Sequence, residues 1–292
     1  MIIITGANGQ LGRDTVKRLL ERVPAEQVGV SVRDPAKADD LEARGVRVRQ
    51  GDFTDAASLA HAFEGASQVL VMPANLTGEK RLNMHRTAIE QAKAAGARRV
   101  LYASHAGANS SSPFPPMPDH FATEGMLRDS GLEFTALRNG FYAASAAMLL
   151  RGALETGELA APEDGPVAWT AHADLADAAA IALADGRLDG VTPALTGPEA
   201  LDMAGVAGLA SEVTGRLIRR VVVSEDQYRA DAVARGIPEQ AVGMLLGLFA
   251  AARLGQFARV DPTLGELIGR PPTPLREVLE ETLSPQPATS QA

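Results

Sequence analysis

The chain opens on Met1-Ile-Ile-Ile-Thr5, an uninterrupted apolar and β-branched run of the kind that forms a strand buried on both faces. The run stops at Gly6. From there Leu11, Val16, Leu19, Leu20 and Val23 recur at the spacing of one helix face. The same alternation continues through the first half. Apolar or alternating runs at 27–32, 46–50, 67–72, 99–103 and 132–137 are each set against a helical pattern. Asp55 stands where it caps a helix running to about residue 65, with Leu59, Ala62 and Phe63 inward. Helices at 80–95 and 119–130 end at Gly96 and Gly131. Six strand–helix alternations predict an α/β fold, a doubly wound parallel sheet with helices on both faces.

The second half carries weaker signals. The pattern predicts a helix at 143–153, a strand at 167–170 around the single Trp, and a helix capped by Asp174 and ending at 185. A strand at 191–196, a helix through 214 and a short strand at 221–224 follow, and the remainder reads as helical. Pro271-Pro-Thr-Pro274 announces a last helix to about 283, and 284–292 reads as a flexible tail. The organisation expected is a Rossmann-type nucleotide domain over 1–142 and a smaller, mainly helical substrate-binding lobe over 143–283. The helix 174–185 and the strand 191–196 are candidates to rejoin the first domain.

The chemistry begins at the first turn. Gly6, Gly9 and Gly12 are spaced G-x-x-G-x-x-G between a strand and a helix, the context in which such a triplet reads as a dinucleotide turn. Backbone N–H groups and the positive helix end would meet a pyrophosphate there, making Gly6, Ala7, Asn8, Gly9, Gln10, Leu11 and Gly12 candidate cofactor contacts. About 20 residues on, at the end of the second strand, stands Arg33, with Lys37 as a second cation. An arginine there accommodates a ribose 2′-phosphate, so NADP(H) is expected over NAD(H). Asp52 and Phe53, after the third strand, are candidate adenine contacts. Met72, Pro73 and Ala74 after the fourth strand, Ala103, Ser104 and His105 after the fifth, and Asn139 after the sixth come to the carboxyl edge, where open α/β sheets bind ligands. Met72, Pro73, Ala74, Ala103, Ser104 and Asn139 are assigned to the cofactor; His105, Phe141 and Tyr142 are candidate walls for an acceptor. The loop 106–118, rich in Ser and Pro, is expected to cover the reactive end, with Phe114 against substrate.

Composition removes other classes. The 292 residues carry a formal net charge of −8 and no basic block, which argues against nucleic-acid binding. The absence of cysteine excludes disulfides, thiolate metal sites and a catalytic thiol. The five histidines show no His-x-x-x-His pair, so no metal is expected, and no Gly-x-Ser-x-Gly elbow is present. The longest apolar run, 241–252, falls short of the roughly 20 residues a membrane span needs. With Met1 already in the first strand, no leader is expected, and the expectation is a cytoplasmic monomer or homodimer.

Thr5-Gly-Ala-Asn-Gly-Gln-Leu-Gly12, Ser31-Val-Arg-Asp-Pro-Ala-Lys37, Gln50-Gly-Asp-Phe53, Leu137-Arg-Asn-Gly-Phe-Tyr142 and Leu267-Ile-Gly-Arg-Pro-Pro-Thr-Pro-Leu-Arg276 together resemble the NmrA-like branch of the atypical short-chain dehydrogenases. The resemblance covers nearly the whole chain; Asn8 stands where many members have Thr. It implies an NADPH-dependent reductase of a quinone or similar small aromatic acceptor, working without flavin, or alternatively a non-catalytic NADP(H) redox sensor acting on a protein partner. Ordinary short-chain dehydrogenases carry a Tyr-x-x-x-Lys pair that protonates the substrate and holds the ribose. Here Tyr102, Tyr142 and Tyr228 are followed four residues later by Ala106, Ala146 and Ala232, so the pair is missing. The resemblance puts His120 and Glu124 at its positions. His120 is then a candidate proton donor of near-neutral pKa, Glu124 a candidate cofactor contact, and Tyr142 a second catalytic candidate. Without the acid pair the chemistry suits an electron-poor acceptor. Hydride addition to a quinone yields a phenolate of pKa about 10, which water can protonate.

Overall fold

The computed structural model describes residues 1–186 and 188–283, so the tail expected at 284–292 lies outside the described residues. The chain divides into two compact units: Met1–Gly140 with His172–Leu195 and Asp261–Pro271, and Phe141–Ala171 with Thr196–Val260 and the remainder from Pro272.

The first unit follows the alternation of the sequence. In order come β1 (Ile2–Thr5), α1 (Gln10–Leu19), β2 (Val28–Val32), a short α2 (Asp39–Glu42), β3 (Arg47–Gln50), α3 (Ala56–Phe63), β4 (Gln68–Val71), α4 (Glu79–Ala94), β5 (Arg99–His105), α5 (Pro116–Asp129) and β6 (Glu133–Asn139). The strands pair in parallel, with β1 between β2 and β4. Chain order therefore reverses direction at β1, and right-handed crossovers put α1 on one face and α4 and α5 on the other. Ile3, Phe63, Val71, Ile89, Tyr102, Leu127 and Ala136 form one buried cluster beneath α3, α4 and α5. Asp55 caps α3 by accepting from the N–H groups of Ala57 and Ser58.

The second unit begins at β7 (Phe141–Tyr142) and α6 (Ala143–Thr156), continues through β8 (Glu158–Ala161), and pairs β9 (Trp169–Thr170) with β7. Phe141 thus leaves the main sheet two residues before the expected boundary, because it pairs with Trp169 instead of extending β6. The first unit then resumes with α7 (His172–Asp185) and β10 (Gly190–Val191), which joins β6 and completes the sheet order β10-β6-β5-β4-β1-β2-β3. The strand expected over 191–196 is reduced to these two residues plus a single bridge from Leu195 to Asn139. Asp174 is not a cap: α7 starts two residues earlier, and this buried carboxylate pairs with Arg270 at 2.7 Å.

The second unit continues with α8 (Met203–Thr214), β11 (Arg219–Val222), α9 (Glu225–Ala234) and α10 (Glu239–Arg253). β11 pairs in parallel with β8. The apolar run 241–252 becomes α10, with Val242, Leu246, Leu248 and Phe249 buried. Among the described residues no helix is long and apolar enough to cross a membrane. α11 (Thr263–Ile268) belongs to the first unit and packs on α7, and α12 (Leu275–Leu283) closes the described chain. The prolines at 116 and 118, assigned to a loop by composition, instead lie in the first turn of α5, where a missing N–H costs nothing. The irregular stretch is shortened to 106–115.

Candidate dinucleotide and acceptor site

At the first turn, the Thr5 hydroxyl donates to Leu70 O at 3.1 Å and accepts from the Met72 N–H at 2.9 Å, tying the ends of β1 and β4 together. Gly6 takes φ +65°, a left-handed conformation that suits glycine, and its N–H continues the ladder to Ser31 O at 3.1 Å. Gly12 is required by close approach: a Cβ there would lie 2.5 Å from Gly6 O. Ala7 and Leu11 are buried beneath the turn, whereas Gly9 and Gln10 face outward. Gly9 caps α1 without a side-chain hydrogen bond, and the first turn of α1 holds no acid. The positive end of α1 is therefore uncompensated by any anion of its own.

At the end of β2, Asn8 Nδ2 donates to Asp34 O at 2.9 Å. Arg33 is exposed, and its charge helps hold the Asp52 carboxyl below the ordinary range, after the two hydrogen bonds Asp52 accepts from Thr54. Lys37 is exposed and pairs with Asp34 at 3.5 Å. Arg13, which the sequence reading did not single out, grips both oxygens of Asp40 (2.7 and 2.8 Å) and the Lys37 carbonyl. It pins the segment that follows Arg33. Asp52 serves its own turn, and Phe53 is half-buried against the core cluster.

At the carboxyl ends of β4, β5 and β6, Met72, Ala103, Ser104 and Asn139 are buried, while Pro73, Ala74 and His105 are half-buried. Phe114 is buried, 9% exposed as a residue. Two polar networks lie behind this edge. In the first, the Ala74 N–H donates to His85 Nε2 at 3.1 Å, so His85 carries its proton on Nδ1 and donates to Thr123 Oγ1 at 2.9 Å. Thr123 in turn donates to Asp119 O at 2.8 Å. Asp119 Oδ2 accepts the Gly78 N–H at 2.8 Å and faces Arg81 at 3.8 Å. Arg81 Nη2 donates to His120 Nε2 at 3.0 Å, and His120 Nδ1–H donates to the Tyr102 hydroxyl at 2.8 Å. In the second network, Glu124 is wholly buried. It accepts from Ser104 Oγ at 2.7 Å and from Arg138 through Nε (3.0 Å) and Nη2 (2.7 Å).

Burial, reinforced by the Arg81 charge, pushes His85 and His105 down to about 3 and His120 well below its ordinary value. The near-neutral pKa expected of His120 is thus corrected. Its Nε2 already accepts from a permanently charged arginine, so taking up a proton there would break that bond. Glu124 is corrected likewise: both of its oxygens are engaged internally, and it presents no surface to a cofactor.

The turn fits a dinucleotide. The Gly6–Gly12 cradle leaves no room for a Cβ at Gly12, the α1 amides lack an internal anion, and Asn139 Oδ1 is a buried acceptor with no partner among the described residues. No group of three potential metal ligands occurs among the described residues.

Comparison with known proteins agrees with this geometry. Residues 6–186 match the family model described as NAD(P)H-binding. Quinone oxidoreductase 2 of Escherichia coli is 36% identical over 278 residues, covering 95% of this chain and 96% of that protein. The chain belongs to this NAD(P)H-binding, NmrA-like family. The crystal structure of the E. coli NADPH-dependent quinone oxidoreductase complexed with NADPH superposes with a TM-score of 0.92, at 35% identity, over 97% of this chain and 100% of that one. The Citrobacter sp. triphenylmethane reductase complexed with NADP(H) gives a TM-score of 0.89, at 30% identity, over 97% and 100%.

For this NAD(P)H-binding chain, the site residues expected in the first unit fall at the first turn and the strand ends, except Lys37 beyond β2, Phe114 in the 106–115 stretch, and His120 and Glu124 on α5. Phe141 and Tyr142 open the second unit instead. Phe141 packs edge-on against Trp169 and Phe257, with ring centroids 5.5 and 5.2 Å apart, and Tyr142 is half-buried. The residues that sequence reasoning missed are Arg13, Arg81 and His85. Each is recognised by the long-range partner it meets, and only the fold supplies that partner.

Proposed function

We propose that this NAD(P)H-dependent reductase prefers NADPH and passes hydride directly to a quinone or similarly electron-poor conjugated acceptor, with no proton donated by the protein. One observation carries the reading. At the two positions that the resemblance assigns to the acid pair of short-chain dehydrogenases, His120 has both ring nitrogens committed and Glu124 is closed against Arg138 and Ser104. An ordinary ketone becomes an alkoxide on reduction and needs a proton donor. A quinone becomes a hydroquinone monoanion that water protonates, and a cationic dye becomes neutral.

The cofactor, when bound, supplies the hydride. The chain's own residues do the remaining work. The α1 amides and the glycine turn hold the pyrophosphate. Arg33 faces the 2′-phosphate, while the nearest acid, Asp34, is occupied by Lys37. Asn139 Oδ1, buried and without a partner among the described residues, would accept from the carboxamide. Met72, Pro73, Ala74, Ala103 and Ser104, at the strand ends, would fix the reactive ring, and His105 and Phe114 would line the acceptor side. Positioning at near-attack distance is the catalytic contribution. The NADPH complex of the E. coli relative and the NADP(H) complex of the dye reductase support the choice of cofactor.

The test is a panel of quinones, cationic dyes and simple ketones, followed by loss of dihydronicotinamide absorbance with NADPH and NADH in parallel. Quinones or dyes turn over and ketones do not. Ketone reduction at comparable rates would sink the acid-free mechanism. Tight NADPH binding with no oxidation by any acceptor would replace the enzyme with a redox sensor.

A further inference from the structure

We propose that Arg138 faces the acceptor oxygen on which negative charge collects, and so biases the protein toward acceptors that leave as oxyanions over acceptors that arrive as cations. The inference rests on the direct hydride transfer proposed above and names the residue that takes up its electrostatic consequence.

Arg138 is the penultimate residue of β6 and pairs in register with Ser104, the penultimate residue of β5. Both therefore stand at the carboxyl edge, on the β4–β5–β6 side of the reversal at β1 and away from Arg33 and Lys37. The guanidinium is held by one edge only. Glu124 takes Nε and Nη2, and Nη1 bonds nothing among the described residues. The two partners differ in access. The Glu124 side chain is 0% exposed and that of Arg138 is 28% exposed, so the carboxylate anchors from behind and the cation is presented in front. Glu124 also lies 3.8 Å from Arg128, so one carboxylate serves two guanidinium groups and the local balance is positive. The Ser104 hydroxyl, donating to Glu124 Oε1, holds the carboxylate from the neighbouring strand end. The hydrogen bonds it donates to Glu124 keep the guanidinium firmly charged. Arg81 is no alternative, because it is buried between His120 and Asp119.

The chemistry gives such a cation work. Hydride brings two electrons and one proton to the quinone; the dihydronicotinamide is oxidised, and one quinone oxygen is left anionic until water protonates it. A fixed donor aimed at that oxygen stabilises the charge as it develops. A cationic triphenylmethane dye accepts the same hydride at carbon and loses charge, so a nearby guanidinium opposes its binding.

The experiment compares kcat/KM for p-benzoquinone and for crystal violet in the full-length wild type, in Arg138→Lys and in the double variant Glu124→Gln/Arg138→Met. NADPH dissociation constants are read by fluorescence and melting temperatures are recorded. The double variant removes both charges together, because Arg138→Met alone would strand a buried carboxylate. The quinone-to-dye ratio of kcat/KM falls by about 10²-fold in the double variant, in line with the loss of an oxyanion donor. It falls by about 10-fold in Arg138→Lys, which keeps the charge but loses the planar fork. NADPH affinity stays within twofold. Arg138→Lys carries the test alone if the double variant does not fold. Equal loss with both acceptors, no loss with either, or weakened NADPH binding that accounts for the loss would overturn the assignment and leave Arg138 a structural or cofactor-holding group. If the wild type reduces neither acceptor, the hydride-transfer reading itself fails and Arg138 has no oxyanion to face.

Discussion

Replacing Gly12 and Gly9 separately by alanine distinguishes packing from ligand approach within one turn. At Gly12 an added Cβ meets backbone only: Gly6 O at 2.5 Å, Gly6 C at 2.9 Å and Ala7 Cα at 3.1 Å. Ordinary contact begins at 3.4 Å, so α1 must withdraw from the turn by about 1 Å, and no flexible side chain can give way in its place. Overpacking of this kind costs about 1–3 kcal/mol. The upper end applies, offset by the roughly 1 kcal/mol that alanine gains over glycine inside a helix. The expected net loss is about 2 kcal/mol, or a fall in melting temperature of about 4–8 °C for a chain of this size. The same withdrawal carries the α1 amides off the phosphate and weakens NADPH by at least about 10-fold, equivalent to about 1.4 kcal/mol. At Gly9 the added Cβ sits 3.4 Å from Gly6 O, and φ −87°, ψ 161° suits alanine. Stability should therefore change by no more than about 0.5 kcal/mol, because the poorer cap and the lower chain entropy offset each other. NADPH binding should still fall by at least about 10-fold, because the new methyl stands where the pyrophosphate approaches the backbone. Thermal unfolding without cofactor and fluorescence titration with NADPH measure the two effects independently. Unchanged NADPH affinity in Gly9→Ala would refute the placement of the phosphate, and an undiminished melting temperature in Gly12→Ala would refute the packing argument.

Three other outcomes are expected. Arg33→Ala weakens NADPH by at least about 10-fold, the scale of one charge-assisted hydrogen bond, and leaves NADH within twofold; equal loss of both nucleotides in a binding titration would remove the 2′-phosphate assignment. Arg99→Met destabilises the chain by about 3 kcal/mol in urea unfolding, because the buried guanidinium donates to Ala182 O at 2.9 Å and also to Thr135 Oγ1 and Leu188 O, and of the three only Leu188 O keeps another side-chain donor, the Thr135 hydroxyl. A change below about 1 kcal/mol would show that water replaces it. The third concerns pH. Burial lowers His85 and His105 from 6.5 to about 3, so the unfolded chain binds protons that the folded chain refuses. The stability they contribute is complete above pH 6.5 and is lost as pH falls toward 3, with a limiting slope of about 1.4 kcal/mol per pH unit for wholly buried His85 and less for half-exposed His105. Urea midpoints measured from neutral to acidic pH should show this slope beginning above the carboxylate range. His85→Leu should flatten it, and an unchanged slope would place the proton uptake elsewhere.

What the sequence made legible was local. Met1-Ile-Ile-Ile-Thr5, the glycine spacing and the capping Asp55 each act through neighbours a few residues away, so pattern alone located β1, the turn and α3. The misreadings were decided at long range. Residues 261–271 join the first unit because α11 packs on α7 and Arg270 reaches Asp174 and Asp177 at 2.7 and 2.9 Å, ninety-odd positions away. β8 escaped notice because Glu158-Leu-Ala-Ala161 has no β-branched residue, and its partner β11 supplies the ladder. Pro116 and Pro118 look like loop residues by composition, which does not reveal that their missing N–H groups fall in an unpaired first turn. His120 was assigned a near-neutral pKa for the same reason: burial and the approach of Arg81 are tertiary facts.

The two networks connect these misreadings to the chemistry. The segment between β4 and α4 leaves the sheet at the ligand edge, and two of its backbone N–H groups are anchored in side chains: Ala74 in His85, and Gly78 in Asp119. For His85 to accept from Ala74, its Nε2 must stay unprotonated; for His120 to accept from Arg81, so must its own Nε2. Each histidine then spends its remaining proton on an internal acceptor, Thr123 or Tyr102. The segment's anchors and the His120 contacts meet on α4 and α5, where Arg81 faces both Asp119 and His120. The helix that carries Asp119, His120 and Thr123 serves as a clamp on α4 and the segment before it. On the hydride transfer proposed above, the energetic demand falls on charge stabilisation rather than proton delivery, and at this edge Arg138 is the cation held rigidly from behind with an open side.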